Sequence, residues 1–199
     1  LCWASAPTSA QKPSREPVFS FPFRDYDMLV YEEIENMMNL KTGSLLGFCA
    51  EVGAAIAFDS PNFLDPRIVE LFRMAVIAGL AFQLKDDWLG VFGDEKKFGK
   101  PAFSDFAESK PTAMLAAALD RLPKPDRVEL MSMLGRESYD AETIGKAREL
   151  VRKSGADKFI LEKADYYIKT AKEILNIFED NKHRALLMEL LDFMVAREK

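Results

Sequence analysis

The sequence predicts an all-α fold on three observations. Apolar residues recur at three- and four-residue steps from about Tyr26 to the C-terminus. No run sustains the period-two alternation of a half-buried strand. The helical stretches are separated by short breaks of proline, glycine and capping residues. Together these features predict helices packed around a large shared core, with no clear internal repeat.

Taken in order, residues 1–24 are rich in Pro, Ser and Ala and are expected to be a tail or linker, leaving 25–199 as the helical domain. Pro61-Asn62 ends a first helical stretch. Its segment Leu45–Phe58 is rich in small residues, which suit either a close helix contact or a cavity beside the helix. Asp65-Pro66 reads as an N-cap followed by a first-turn proline. Val69, Phe72, Val76, Leu80 and Gln83 then mark a helix that runs to about Phe92 and ends at Gly93-Asp94. A charged, glycine-bearing loop follows, to Ser104. Lys110-Pro111 opens a helix to Leu122, broken by Pro123 and Pro125. Asp140 caps a helix that stops at Gly155. An apolar stripe over 157–179 includes Phe159, Ile160, Ala164, Ile168 and Ala171. A last helix, about 183–197, carries Leu186, Leu187, Leu190, Leu191 and Met194.

Composition narrows the function. With 48% apolar and 30% charged residues, the bulk of the chain can build a core, which excludes disorder. A net charge of -5 argues against a nucleic-acid partner held by overall charge. Two cysteines, Cys2 and Cys49, and one histidine, His183, support neither a disulfide framework nor a cysteine-rich zinc site, and fit a reducing cytoplasm. The longest uncharged apolar-rich run, about Met74 to Leu84, is shorter than the roughly 20 residues of a bilayer span, so no membrane span is expected.

The chemistry concentrates in the stretch from Gly79 to Asp94. Asp86 and Asp87 lie near the end of an otherwise apolar helix, with Gln83 three and four residues before them, so that all three can point toward one side. Paired carboxylates on a mostly buried helix call for a positive partner. Magnesium, a hard cation that takes carboxylate, water and phosphate oxygens, is a natural candidate. A pair of solvated acids near a helix end is the other reading. Residues 81–110 also hold five lysines, including Lys100 and Lys110, and Lys41-Thr42 lies upstream. Acids for a metal and lysines for phosphate oxygens suit a metal–diphosphate site, and an exposed mixed-charge loop has the same composition.

The ordered set of motifs resembles the trans-isoprenyl diphosphate synthases of the polyprenyl synthetase family, over roughly residues 29–199. Lys41-Thr42-Gly43-Ser44-Leu45 resembles the family's Lys-Thr helix. Gly79-Leu-Ala-Phe-Gln83 with Asp86-Asp87 resembles its second aspartate-rich motif. Gly93-Asp94, Gly99-Lys100, Asp105 and Lys110-Pro111-Thr112 resemble the segment after it, and Ala164–Leu175 a late helix.

The resemblance implies an isoprenoid synthase-type bundle and a head-to-tail condensation of an allylic prenyl diphosphate with isopentenyl diphosphate. It implies magnesium at Asp86 and Asp87. Catalytic roles fall to Lys41, Thr42, Gln83 and Lys100, and substrate contacts extend to Phe82 and Lys110, while Asp105 matches the family pattern. A homodimer is the implied assembly.

Two departures stand out. Gly90 occupies the last position of the family's Asp-Asp-x-x-Asp. The family's first aspartate-rich motif has no counterpart before the Lys-Thr helix, so a bundle lacking its N-terminal helices is expected. A non-catalytic partner subunit and a terpene cyclase of the same fold are the alternatives. Arg197 and Lys199 read as a solvated tail, with closure over the diphosphate pocket as the other reading, and His183 as a surface residue.

Overall fold

A computed structural model describes residues 30–93, 103–136 and 138–197, and they are all-α, with no strand among them. Helix α1 (Tyr31–Met38), a π-helical turn (Asn39–Gly43) and α2 (Ser44–Ala57) run on as one 27-residue helix. The buried positions on α1 and the turn are Ile34, Met38 and Gly43, followed on α2 by Gly47 and Ala54. The five-residue step from Met38 to Gly43 is where the turn takes in an extra residue. The backbone N–H and hydroxyl of Ser44 both reach the Asn39 carbonyl, the hydroxyl at 3.1 Å.

By length and composition alone, 31–57 could cross a membrane. The run-length reading of the sequence missed this, because Lys41 and Glu51 interrupt the apolar stretch. Only 17% of its most apolar stretch is buried, and the helix lies along α3 on one side.

Helix α3 (Pro66–Phe92) is the axis of the fold. Asp65 caps it, accepting from the Arg67 N–H at 2.9 Å, with Pro66 in the first turn as the sequence predicts. It packs most extensively on α8 (Ala156–Leu175) and α2, and also meets α5 (Ala113–Arg121) and α9 (Lys182–Ala196). Leu84, Met114, Leu115, Leu119, Leu150 and Ile160 lie in one core cluster. Met74, Ala81, Ile168, Ala171 and Leu191 form a second beneath α9. Truncating a buried leucine such as Leu84 costs about 2–5 kcal/mol.

Two short helices were not anticipated: α4 (Ser104–Ala107) and α6 (Lys124–Met131). Pro123 ends α5 as expected. Pro125, however, falls in the first turn of α6, where its missing N–H breaks no helical hydrogen bond. Helix α5 is capped by Thr112, whose hydroxyl accepts from the Leu115 N–H at 3.2 Å, so it begins later than Lys110-Pro111. Helix α7 (Ala141–Ser154) runs from the Asp140 cap to Gly155, which takes φ of 73°.

Arg148 of α7 donates to the Val91 carbonyl at 2.8 Å and so satisfies the C-terminal end of α3. The Tyr167 hydroxyl donates to Glu35, and Tyr31 and Lys163 donate to the same carboxylate, a half-buried polar tie between α1 and α8. Burial and the Glu35 charge push both tyrosine hydroxyls above their ordinary range.

Candidate active site

The site begins where two glycines let helices touch. A Cβ on Gly47 would lie 2.6 Å from Val76 Cγ2 and 2.8 Å from Phe72 Cε2. One on Gly79 would lie 3.0 Å from the Gly43 Cα. Both readings of the small-residue helix are realised: an apolar hollow of about 200 Å³ lies beside Leu46 and Ala50, closed by Met74 and Leu191, and close packing holds at these glycines. The contact sets Thr42 beside Gln83, one turn further along α3. The Thr42 hydroxyl donates to Gln83 Oε1 at 3.3 Å, and Gln83 Nε2 donates to Asp87 Oδ1 at 3.4 Å. Asp87 Oδ2 accepts the Ala113 N–H at 2.8 Å, at the N-terminus of α5. Three helices thus meet through one line of hydrogen bonds.

Asp87 is only 5% exposed. Burial pushes its carboxyl up to about 7, against the Ala113 N–H and the Gln83 amide, which favour the anion. Its neighbour Asp86 points elsewhere. Consecutive helical residues point about 100° apart, so Asp87 turns inward while Asp86, with its side chain 33% exposed, turns toward α9. The expectation that both acids point to one side is corrected accordingly: Gln83 faces Asp87.

Asp86 meets Arg197, which donates to Asp86 Oδ1 at 3.2 Å and to the Phe82 carbonyl at 3.0 Å, with its guanidinium 3.7 Å from the Phe82 ring centroid. Arg197 is therefore not a solvated tail residue. Stacking and pairing hold it down, leaving its side chain 10% exposed. Its 111-residue separation from Asp86 leaves no local sequence signal for the contact.

Lys110 donates to Asp105 at 3.0 Å. Burial works to lower the Lys110 ammonium, but the Asp105 bond and charge, with Asp87 and Asp86 beyond, hold it above its ordinary value. Asp105 Oδ2 would lie 3.2 Å from a Cβ on Gly90, so the bare glycine gives the following segment's carboxylate room to approach α3. Phe103 holds that segment in place: it is fully buried at φ 66°, and its N–H bonds the Gly90 carbonyl at 3.2 Å. Lys41 is exposed on the turn beside Thr42. Lys100 and Lys199 lie outside the described residues. His183 is exposed at the start of α9, as expected. A hollow of about 290 Å³ lined by Tyr31, Asp120, Arg121 and Phe159 sits at the far end of α5 and touches none of the site residues.

The carboxylate oxygens of Asp86, the more accessible of the two acids, fit a hard cation. Among the described residues no cluster of three or more His, Cys, Asp or Glu could hold a metal alone, so such an ion would complete its shell with other oxygens.

Known proteins match this chain in both sequence and structure. The family model described as polyprenyl synthetase matches residues 19–151. A short chain isoprenyl diphosphate synthase of Methanothermobacter thermautotrophicus is 36% identical over 167 residues, covering 84% of this chain and 50% of that protein. A solved geranylgeranyl pyrophosphate synthetase from Pyrococcus horikoshii superposes with a TM-score of 0.76 at 31% identity, over 84% of this chain and 50% of the other. A geranylgeranyl pyrophosphate synthase from Corynebacterium glutamicum, solved with isoprenyl diphosphate and magnesium, gives 0.76 at 27% identity, over 86% and 48%. The chain spans about half the length of the relatives it matches.

Proposed function

Because the chain belongs to the polyprenyl synthetase family, we propose that it supplies one part of the active site of a prenyltransferase, which condenses an allylic diphosphate with isopentenyl diphosphate into an all-trans prenyl diphosphate. The observation that carries this reading is the line from Thr42 through Gln83 to Asp87, which joins the Lys-Thr turn to the acid pair. Relatives named as geranylgeranyl and geranylfarnesyl diphosphate synthases support it.

In this reading Asp86 is the accessible cation ligand. Asp87 is held by Gln83 and the start of α5, and backs it from inside. Magnesium bound there would supply Lewis-acid stabilisation of a departing diphosphate. Lys41, on the π-helical turn, and Lys100 bring positive charge to the same diphosphate, and Lys110 is steadied by Asp105. Phe82, the substrate contact that the resemblance implies, lies beside Asp86 with the Arg197 guanidinium over its ring. The exposed Leu40, Leu45, Phe48 and Ile56 on 31–57 suit burial against further helices, including those of a second subunit in a homodimer. The exposed free Cys49 suits a reducing, cytoplasmic setting.

The test is an assay of the complete gene product with magnesium, labelled isopentenyl diphosphate and a set of allylic primers, reading product length. No product with any primer overturns the reading. A second reading, a partner subunit that needs a catalytic companion, draws on the half-length match. It predicts activity only when the companion is added.

A further inference from the structure

Arg197 ends the last helix, yet its side chain belongs to α3. Its Nη2 reaches both the Phe82 carbonyl and Asp86 Oδ1, its guanidinium lies over the Phe82 ring, and its Nε donates to the Met194 carbonyl at 3.2 Å. These are contacts of three kinds: stacking, hydrogen bonds to uncharged carbonyls, and an ion pair. They hold the guanidinium in one place, whereas an ordinary exposed ion pair samples many geometries. Asp86 in turn has a carboxylate oxygen committed to that cation. Lys110, whose charge also reaches Asp86, is engaged by Asp105.

A divalent ion arriving at Asp86 would meet a fixed positive charge within contact distance of the oxygen it needs. The two charges repel in a partly desolvated place, where repulsion is felt far more than in bulk water. We propose that Arg197 is a built-in counter-ion of Asp86 that a divalent cation displaces, so that cation binding and undocking of the C-terminal end of α9 from α3 are one exchange. This rests on Asp86 being the cation ligand. The exchange is reciprocal: whatever factor the docked Arg197 takes from cation affinity, the cation takes from docking. Arg197 is a positioning residue in this scheme, acting through Asp86.

The test is Mn²⁺ binding to the 199-residue chain, followed by electron paramagnetic resonance, with amide hydrogen exchange over 190–197 measured alongside. Arg197→Ala is expected to tighten Mn²⁺ binding about three- to tenfold, and Arg197→Lys, which keeps the charge, to fall between. Lys172→Ala breaks the Lys172–Asp192 pair between α8 and α9 without touching Asp86, and is expected to leave Mn²⁺ affinity unchanged. In the wild-type chain, Mn²⁺ is expected to speed exchange at the end of α9. Unchanged affinity in Arg197→Ala, or equal tightening in Lys172→Ala, overturns the exchange while leaving Asp86 as a ligand. Binding that is absent, or that survives Asp86→Asn, removes the reading of Asp86 and the inference with it.

Discussion

The Thr42 hydroxyl and the Gln83 side-chain carbonyl lie 3.3 Å apart, across 41 residues of sequence. That bond turns two separate motifs into one arrangement, since Gln83 passes the connection to Asp87. Removing either end should therefore cost more than a surface hydrogen bond. A double-mutant cycle of Thr42→Val and Gln83→Ala is expected to give a coupling of about 0.5–1.5 kcal/mol in denaturant unfolding. Additive effects would mean the two side chains act independently.

Asp86→Ala should leave the fold nearly intact, because Asp86 is a third exposed and Arg197 keeps its bonds to the Phe82 and Met194 carbonyls without it. Turnover of the complete enzyme should fall by orders of magnitude. Steady-state rates alongside a denaturant midpoint separate the two effects, and near-normal turnover refutes the metal role.

The raised Asp87 carboxyl makes stability depend on pH in a stated direction. The folded protein holds this proton up to about pH 7, while the unfolded chain releases it near 3.8. Below that value both states are protonated. Between the two values only the folded state keeps the proton, so unfolding free energy from this group falls as pH rises through the window. Asp87→Asn should flatten that slope, which denaturant titrations at pH 4, 5.5 and 7 would read.

Gly47→Ala pushes a methyl into Val76 and Phe72. It should cost about 1–3 kcal/mol and lift the Lys-Thr turn away from α3. A drop in thermal midpoint with turnover lost out of proportion to it is the expected result. A variant as stable and active as the parent would show that the contact has slack.

The fold was legible in the sequence wherever a local signal decided the structure. The Asp65-Pro66 and Asp140 caps, the Gly155 stop and the 3.6-residue stripes all act within a turn or two of themselves. Pro125 misled because proline breaks a helix in its interior and fits in its first turn. The π-helical turn escaped because apolar spacing was read in steps of three and four, and here the step is five. Within the site, residue types and their order could be read directly, but direction could not. Nothing in an Asp-Asp pair says which acid caps a distant helix, and Arg197 reaches Asp86 only once the whole bundle has closed.

A helix one residue shorter across 39–43 would still line Ile34, Met38, Gly43 and Gly47 along α3, since a four-residue step serves a regular helix as well as five serves the wider turn. Packing alone thus has no use for the surplus residue. What it alters is the bearing of the side chains it contains, Lys41 and Thr42. The wide turn is best understood as an aiming device, kept at some cost in helix regularity.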